Sequence, residues 1–74
     1  MKFENKSVIV TGGASGIGKV ISEFLLKKKL RVAILDINEE ALGNLKNNKN
    51  LFKIKCDLTK ETEISKAIKA IKDK

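Results

Sequence analysis

The sequence has no proline, no histidine and no tryptophan, and among its 74 residues there is one cysteine, Cys56. Each absence removes an explanation. A lone cysteine cannot form an internal disulfide, and a metal site would have to be built from carboxylates alone. Small domains usually lean on one of those two staples. A chain of this length buries only about 60% of its unfolded surface, so one marginal domain over residues 1–74 is expected. Apolar runs are short and the N-terminal segment 1–6 is polar, which speaks against a signal peptide or a membrane span. The thiol count and the lack of a leader give a cytoplasmic expectation.

Aromatic residues are scarce as well: Phe3, Phe24 and Phe52 are the whole set. The formal charge of +7, from 16 basic and 9 acidic residues, would suit an anionic partner. The lysines are scattered, however, and the only run is Lys27-Lys28-Lys29. No aromatic residue interleaves with a basic patch, so solvated helix faces are expected and nucleic acid is not.

What is present is an alternation. Val8-Ile9-Val10 reads as a strand buried on both faces. Beyond a glycine-rich stretch, Ile17, Val20, Ile21, Phe24 and Leu25 fall at helical spacing and predict one core-facing stripe on a helix ending near Lys29. Arg31 to Asp36 predicts a second buried strand, closed by an acid. Asn38 can cap the next helix, with Glu39 and Glu40 in its first turn and Ala41, Leu42 and Leu45 on its apolar side. Residues 51–57 predict a third strand. There Phe52, Ile54 and Cys56 alternate with Lys53 and Lys55, as at a sheet edge with one wet face. Thr59 can cap a last helix carrying Ile64, Ala67, Ile68 and Ile71. The order β-α-β-α-β-α, with right-handed crossovers, predicts an α/β fold: one half of a doubly wound parallel sheet of strand order 3-2-1, its first two helices on one face.

The glycine loop, Thr11-Gly12-Gly13-Ala14-Ser15-Gly16-Ile17-Gly18, joins the first strand to the first helix. A tight turn into a helix aims free backbone N–H groups and the positive dipole end at one point, which suits a pyrophosphate. Gly12, Gly16 and Gly18 permit the sharp turn and the close approach. Asp36 lies 24 residues after Gly12, at the carboxyl edge of the sheet beside the loop. A carboxylate there accepts from both hydroxyls of an adenosine ribose and repels a 2′-phosphate, so NAD is favoured over NADP. Neither Ser15 nor Ile37 offers a phosphate positive charge. The plainer reading is a helix N-terminus whose glycines serve packing only. A second near-match, Gly13-x-x-x-x-Gly18-Lys19-Val20, fails as a nucleoside-triphosphate loop because Val20 has no hydroxyl for magnesium. A methyltransferase would share the strand-end acid but usually carries another leading into its glycine loop.

Thr11, Gly12, Gly16 and Gly18 match every fixed position of T-G-x-x-x-G-x-G, and with Asp36 and Cys56-Asp57-Leu58 the chain resembles the short-chain dehydrogenases/reductases from Lys6 to its last helix. The segments are similar to hydroxyprostaglandin-dehydrogenase-like and insect alcohol-dehydrogenase-like members. The resemblance implies that Thr11 braces the turn and that Gly12, Ser15, Gly16, Ile17 and Gly18 line the pyrophosphate. It further implies that Asp36 and Ile37 meet the adenosine ribose, and Asp57 and Leu58 the adenine, of NAD or an ADP-ribose-type ligand. Ser15 has a plainer reading as a turn residue, Asp57 as a strand-end cap and Cys56 as apolar filler. Members transfer a hydride with a tyrosine in Y-x-x-x-K, helped by a serine and an asparagine from later strands. This chain has no tyrosine, so no catalytic residue is assigned. Two possibilities stay open. One is the N-terminal piece of an alcohol-oxidising enzyme, pairing with a C-terminal half. The other is a non-catalytic binding or interaction protein that associates with itself.

Overall fold

A computed structural model describes residues 7–72, so the polar segment 1–6 lies outside the described residues. The elements are β1 (Ser7–Thr11), α1 (Gly16–Lys27), β2 (Arg31–Asp36), α2 (Glu39–Gly43), β3 (Leu51–Lys55) and α3 (Glu61–Lys72). The three strands are parallel, in the order β1-β2-β3, with Val8 beside Val32 and Ala33 beside Phe52. This is the expected 3-2-1 half of a doubly wound sheet. No described helix is long and apolar enough to cross a membrane.

Strand alternation divides the core in two. Val32, Ile34 and Leu42 are buried with Leu30 and Ala14 on the face under α1 and α2, where Val8, Val10, Leu25 and Leu51 pack against them. Ala33, Leu35 and Cys56 are buried with Ala67 of α3 on the opposite face, joined by Phe52, Ile54, Ile64 and Ile71. β2 is the one described strand with a neighbour on each side, and four of its six residues are buried. β1 departs from its predicted double burial. It is the sheet's edge among the described residues; Val8 and Val10 are half-buried and Ile9 is 43% exposed.

α1 corrects a second expectation. Ile17, Val20 and Phe24 of the predicted stripe are 79%, 67% and 57% exposed, and Ile21 is exposed as well. The side facing the sheet is instead Gly18, Ser22 and Leu25, spaced i, i+4, i+7, with Ser22 fully buried. Small residues let the helix backbone approach the strand, so α1 sits low and its larger apolar residues face sideways. The buried Ser22 hydroxyl donates to the Gly18 carbonyl at 2.8 Å, which satisfies it inside the helix.

The helix ends follow local chemistry. α1 stops two residues before Lys29, whose φ of 63° places it in the left-handed region. Leu30 N–H donates to the Leu25 carbonyl and Lys29 N–H to that of Leu26, a Schellman closure with lysine where glycine is usual. Asn38 caps α2 as expected, its side chain accepting from Ala41 N–H at 3.0 Å. Thr59 does not cap α3. The helix begins at Glu61, and the Thr59 hydroxyl donates to Asp57 at 2.6 Å. At β3 the alternating lysines fold back: Lys53 Nζ donates to the Leu45 carbonyl and to Asn47 in the loop after α2, and Lys55 pairs with Glu39 of α2.

Candidate functional site

The glycine loop begins where β1 ends. Gly12 N–H still donates to the Leu35 carbonyl at 2.7 Å, and the chain then turns away from the sheet. Gly12 and Gly16 have φ of 65° and 58°, and a Cβ at either would point into open space. Their requirement is therefore conformational: only glycine enters this region without strain. Gly18 is needed for a different reason. A Cβ there would lie 2.2 Å from the Gly12 carbonyl oxygen and 2.9 Å from Gly13 Cα, so backbone touches backbone where helix meets strand end.

That contact fixes the direction of the helix start. The first α1 amide with a backbone acceptor is Lys19 N–H, which donates to Ser15 O at 3.2 Å. Ser15 stands at the N-cap in extended conformation, but its hydroxyl makes no capping bond. The amides of Gly16, Ile17 and Gly18 thus open the helix with no acceptor among the described residues, as unsatisfied N-terminal donors. Gly12, Ser15, Gly16 and Ile17 are exposed, so the donors stand at an accessible surface. Donor type, dipole and glycine clearance all fit a pyrophosphate. Thr11 is exposed at the end of β1, and its hydroxyl bonds to no described residue.

Asp36 closes β2 beside this loop. Its Oδ1 accepts from Asn38 N–H at 2.9 Å, and its Oδ2 from Ala14 N–H at 3.3 Å. The carboxylate is thereby aimed back at the glycine loop, and its longer bond ties the loop to the neighbouring strand. Ala14 and Gly13, both buried, were not singled out from the sequence. A Cβ on Gly13 would lie 3.0 Å from side-chain atoms of Val10, Ser22 and Ile34, so its smallness is a packing matter. The signal that could have found this seat is the pair of small residues Gly18 and Ser22 four apart.

Ile37 follows Asp36 at the end of β2 and Leu58 follows Asp57 in the loop after β3, and they are 59% and 45% exposed. Asp57 is half-buried; its Oδ1 accepts from the Thr59 amide and hydroxyl. Those bonds hold its carboxyl below the usual range, the hydroxyl bond first. Its own N–H donates to Glu63 at 3.0 Å, which joins the loop after β3 to α3. Asp57 therefore does act as a local cap, with one oxygen engaged. Cys56 is buried, and burial, then Glu63 and Asp57, push its thiol up, as suits a filler rather than a nucleophile. All ten predicted residues, from Thr11 to Leu58, lie at the carboxyl ends of the strands or at the α1 start. An open groove of about 510 Å³ between α1 and α2, lined by Lys19, Leu26 and Leu45, includes none of them.

This arrangement is shared with known proteins. Residues 6–74 match the profile described as short chain dehydrogenase. Short-chain dehydrogenase reductase 3c of Arabidopsis thaliana is 36% identical over 74 residues, across 93% of this chain and 28% of its own. NAD-dependent glycerol dehydrogenase of Listeria innocua is 36% identical over 70 residues, across 92% of this chain and 28% of its own. A short chain dehydrogenase from Leptospira borgpetersenii, solved with bound NAD+, superposes with a TM-score of 0.83 at 26% identity, over 97% of this chain and 28% of that one. The 3-ketoacyl-(acyl-carrier-protein) reductase of Brucella melitensis, complexed with NADH, superposes with a TM-score of 0.87 at 23% identity, over 92% of this chain and 29% of that one, a likeness of fold. The chain spans less than a third of the length of these relatives. With its glycine loop, strand-end acid and parallel half-sheet, it belongs to the short-chain dehydrogenase family.

Proposed function

We propose that the chain binds the ADP part of NAD across the carboxyl ends of its three strands. The observation that carries this reading is the pairing of an open helix N-terminus with Asp36. Free amides at Gly16, Ile17 and Gly18 would receive the pyrophosphate, with Gly12 and Ser15 lining it. The Asp36 carboxylate, already turned toward the loop by Ala14 and Asn38, would accept from the ribose hydroxyls beside Ile37. The exposed Ile37 and Leu58 offer apolar walls for an adenine, and the free Oδ2 of Asp57 an acceptor at its rim. A relative that binds NAD+ in its crystal structure supports the cofactor class.

In full-length relatives this segment would serve NAD-dependent oxidation of an alcohol. Here, without tyrosine or histidine, no group is assigned to move the proton. The lone buried thiol suits a reducing, cytoplasmic setting. Calorimetric titration of the 74-residue protein tests the reading. NAD should bind more tightly than NADP, and Asp36→Ala should cost NAD about 1.5–3 kcal/mol, the worth of hydrogen bonds to a charged acceptor. Equal or tighter binding of NADP to the unaltered chain would overturn it.

A further inference from the structure

Beside the acid assigned to the ribose stands a cation that neither the glycine loop nor the residue after β2 supplies. Asp36 and Lys55 are register partners on β2 and β3. Cys56 N–H donates to the Asp36 carbonyl at 3.0 Å, so the two strands stay paired to their ends. Neighbouring parallel strands run about 4.8 Å apart, and register partners send their side chains to the same face. For this pair it is the face under α1 and α2. Asp36 alternates with the buried Ile34 of that core, and Lys55 with Lys53, which bonds to Leu45 after α2.

What holds Lys55 is weak. Its Nζ meets Glu39 Oε2 at 3.5 Å, and the two side chains are 58% and 79% exposed. Exposed pairs of this kind contribute little, and the lysine stem is flexible, so a more strongly charged anion can draw the ammonium away. The carboxylate of Asp36 is held differently. Backbone amides of Ala14 and Asn38 each bond one of its oxygens, which fixes it in place. Glu39 follows three residues later, in the first turn of α2. Asp36, Glu39 and Lys55 thus gather two negative charges and one positive. A ribose hydroxyl needs only Asp36. A 2′-phosphate brings a charge of about −1.5 to −2, and it would face two carboxylates and one movable ammonium.

We propose, on the nucleotide reading above, that Lys55 is a specificity-determining residue: it leaves Glu39 to meet a 2′-phosphate and so limits the preference for NAD that Asp36 imposes. Asp36 sets the direction of the preference, because its fixed charge repels phosphate. Lys55 reduces the size of that preference from the neighbouring strand. Glu39 competes with the phosphate for the same ammonium, and its own charge adds to the repulsion.

Calorimetric titration with NAD and with NADP, of the 74-residue protein and three variants of matching far-UV circular dichroism, tests this. Lys55→Gln should weaken NADP about fivefold, the scale of one exposed ion pair, and change NAD less than about twofold. Both nucleotides carry the pyrophosphate, so a general loss of positive charge would weaken them alike, and the ratio isolates the 2′-phosphate. Glu39→Gln should tighten NADP about fivefold. In the double variant Glu39→Gln/Lys55→Gln most of that gain should vanish. If NAD binds but Lys55→Gln leaves the ratio of the two affinities unchanged, the role of Lys55 is overturned and the nucleotide reading stands. A Glu39→Gln gain that survives in the double variant would assign it to direct repulsion and overturn the competition for Lys55. So would NAD binding beside no measurable NADP binding at millimolar concentration. A chain that binds neither nucleotide would overturn both readings.

Discussion

Adding one methyl group at Gly18 should be among the most damaging small changes available to this chain. The built Cβ lies 2.2 Å from the Gly12 carbonyl oxygen, with Gly12 C and Gly13 Cα both at 2.9 Å. All three are backbone atoms, so no side chain can swing away. Restoring ordinary contact means that the start of α1 retreats by roughly 1 Å, and a gap of that size forfeits a quarter to a half of each dispersion contact across it. The contacts at stake are those under Gly18, Ser22 and Leu25. Overpacking of this kind costs about 1–3 kcal/mol, against which alanine's helix propensity returns up to about 1 kcal/mol. With the full return a net loss of up to about 2 kcal/mol remains, which in a domain of this size lowers Tm by up to about 16 °C. Gly43→Ala is the control: Gly43 has no positive φ and nothing within 4 Å of its Cβ, so a gain of about 0.5–1 kcal/mol is expected there. Thermal unfolding of both variants beside the parent, at one fixed protein concentration, measures the difference. If Gly18→Ala is as stable as Gly43→Ala, the close approach of helix and strand end does not hold the loop.

Lys29→Gly should stabilise the chain by about 1 kcal/mol, because Lys29 occupies the left-handed position of the α1 closure at φ 63°; an unchanged or lower Tm would contradict that. Cys56, buried and held in its thiol form, should react with a thiol reagent only as fast as the domain opens. Its pKa is raised in the fold, so its share of stability is complete below the ordinary thiol range and fades as pH rises through it; prompt labelling of native protein at pH 8 would refute this.

Much of this was legible in the sequence because the decisive signals are local. A glycine loop between an apolar run and a helix, an acid at the next strand end and Asn38 before two glutamates each state their structure within a few residues. What misled was the apolar stripe of α1. Periodicity says which residues share a side of a helix, and Ile17, Val20, Ile21 and Phe24 do share one; it does not say which side meets the sheet. That was decided by Gly18, whose contact with the Gly12 backbone turns the small-residue side downward. Hydrophobicity scales give Gly and Ser little weight, so the buried face was the quieter one. β1 misled for the mirror reason: an all-apolar strand implies cover on both faces and both edges, and among the described residues it has one neighbouring strand. Thr59 shows the limit for caps. It has the right chemistry, but Asp57 lies two residues before it and takes its hydroxyl.

Among the described residues the two outer strands of the sheet differ in charge. At β3 the outer strand carries Lys53 and Lys55, and both are folded back, Lys53 donating to Leu45 in the loop after α2 and Lys55 meeting Glu39. Each lysine puts charge beside an edge that would otherwise invite another strand. β1, the other outer strand among the described residues, carries no charged residue. The difference tracks the glycine loop. To present its amides at the carboxyl end, α1 must sit close over the β1 end, and the contact that achieves this leaves its larger apolar side chains directed past the edge. Ile17 stands at that junction: its N–H belongs to the open helix N-terminus, while its side chain belongs to the bare flank. The loop that fits a pyrophosphate and the exposed apolar flank of α1 are therefore consequences of one placement of α1.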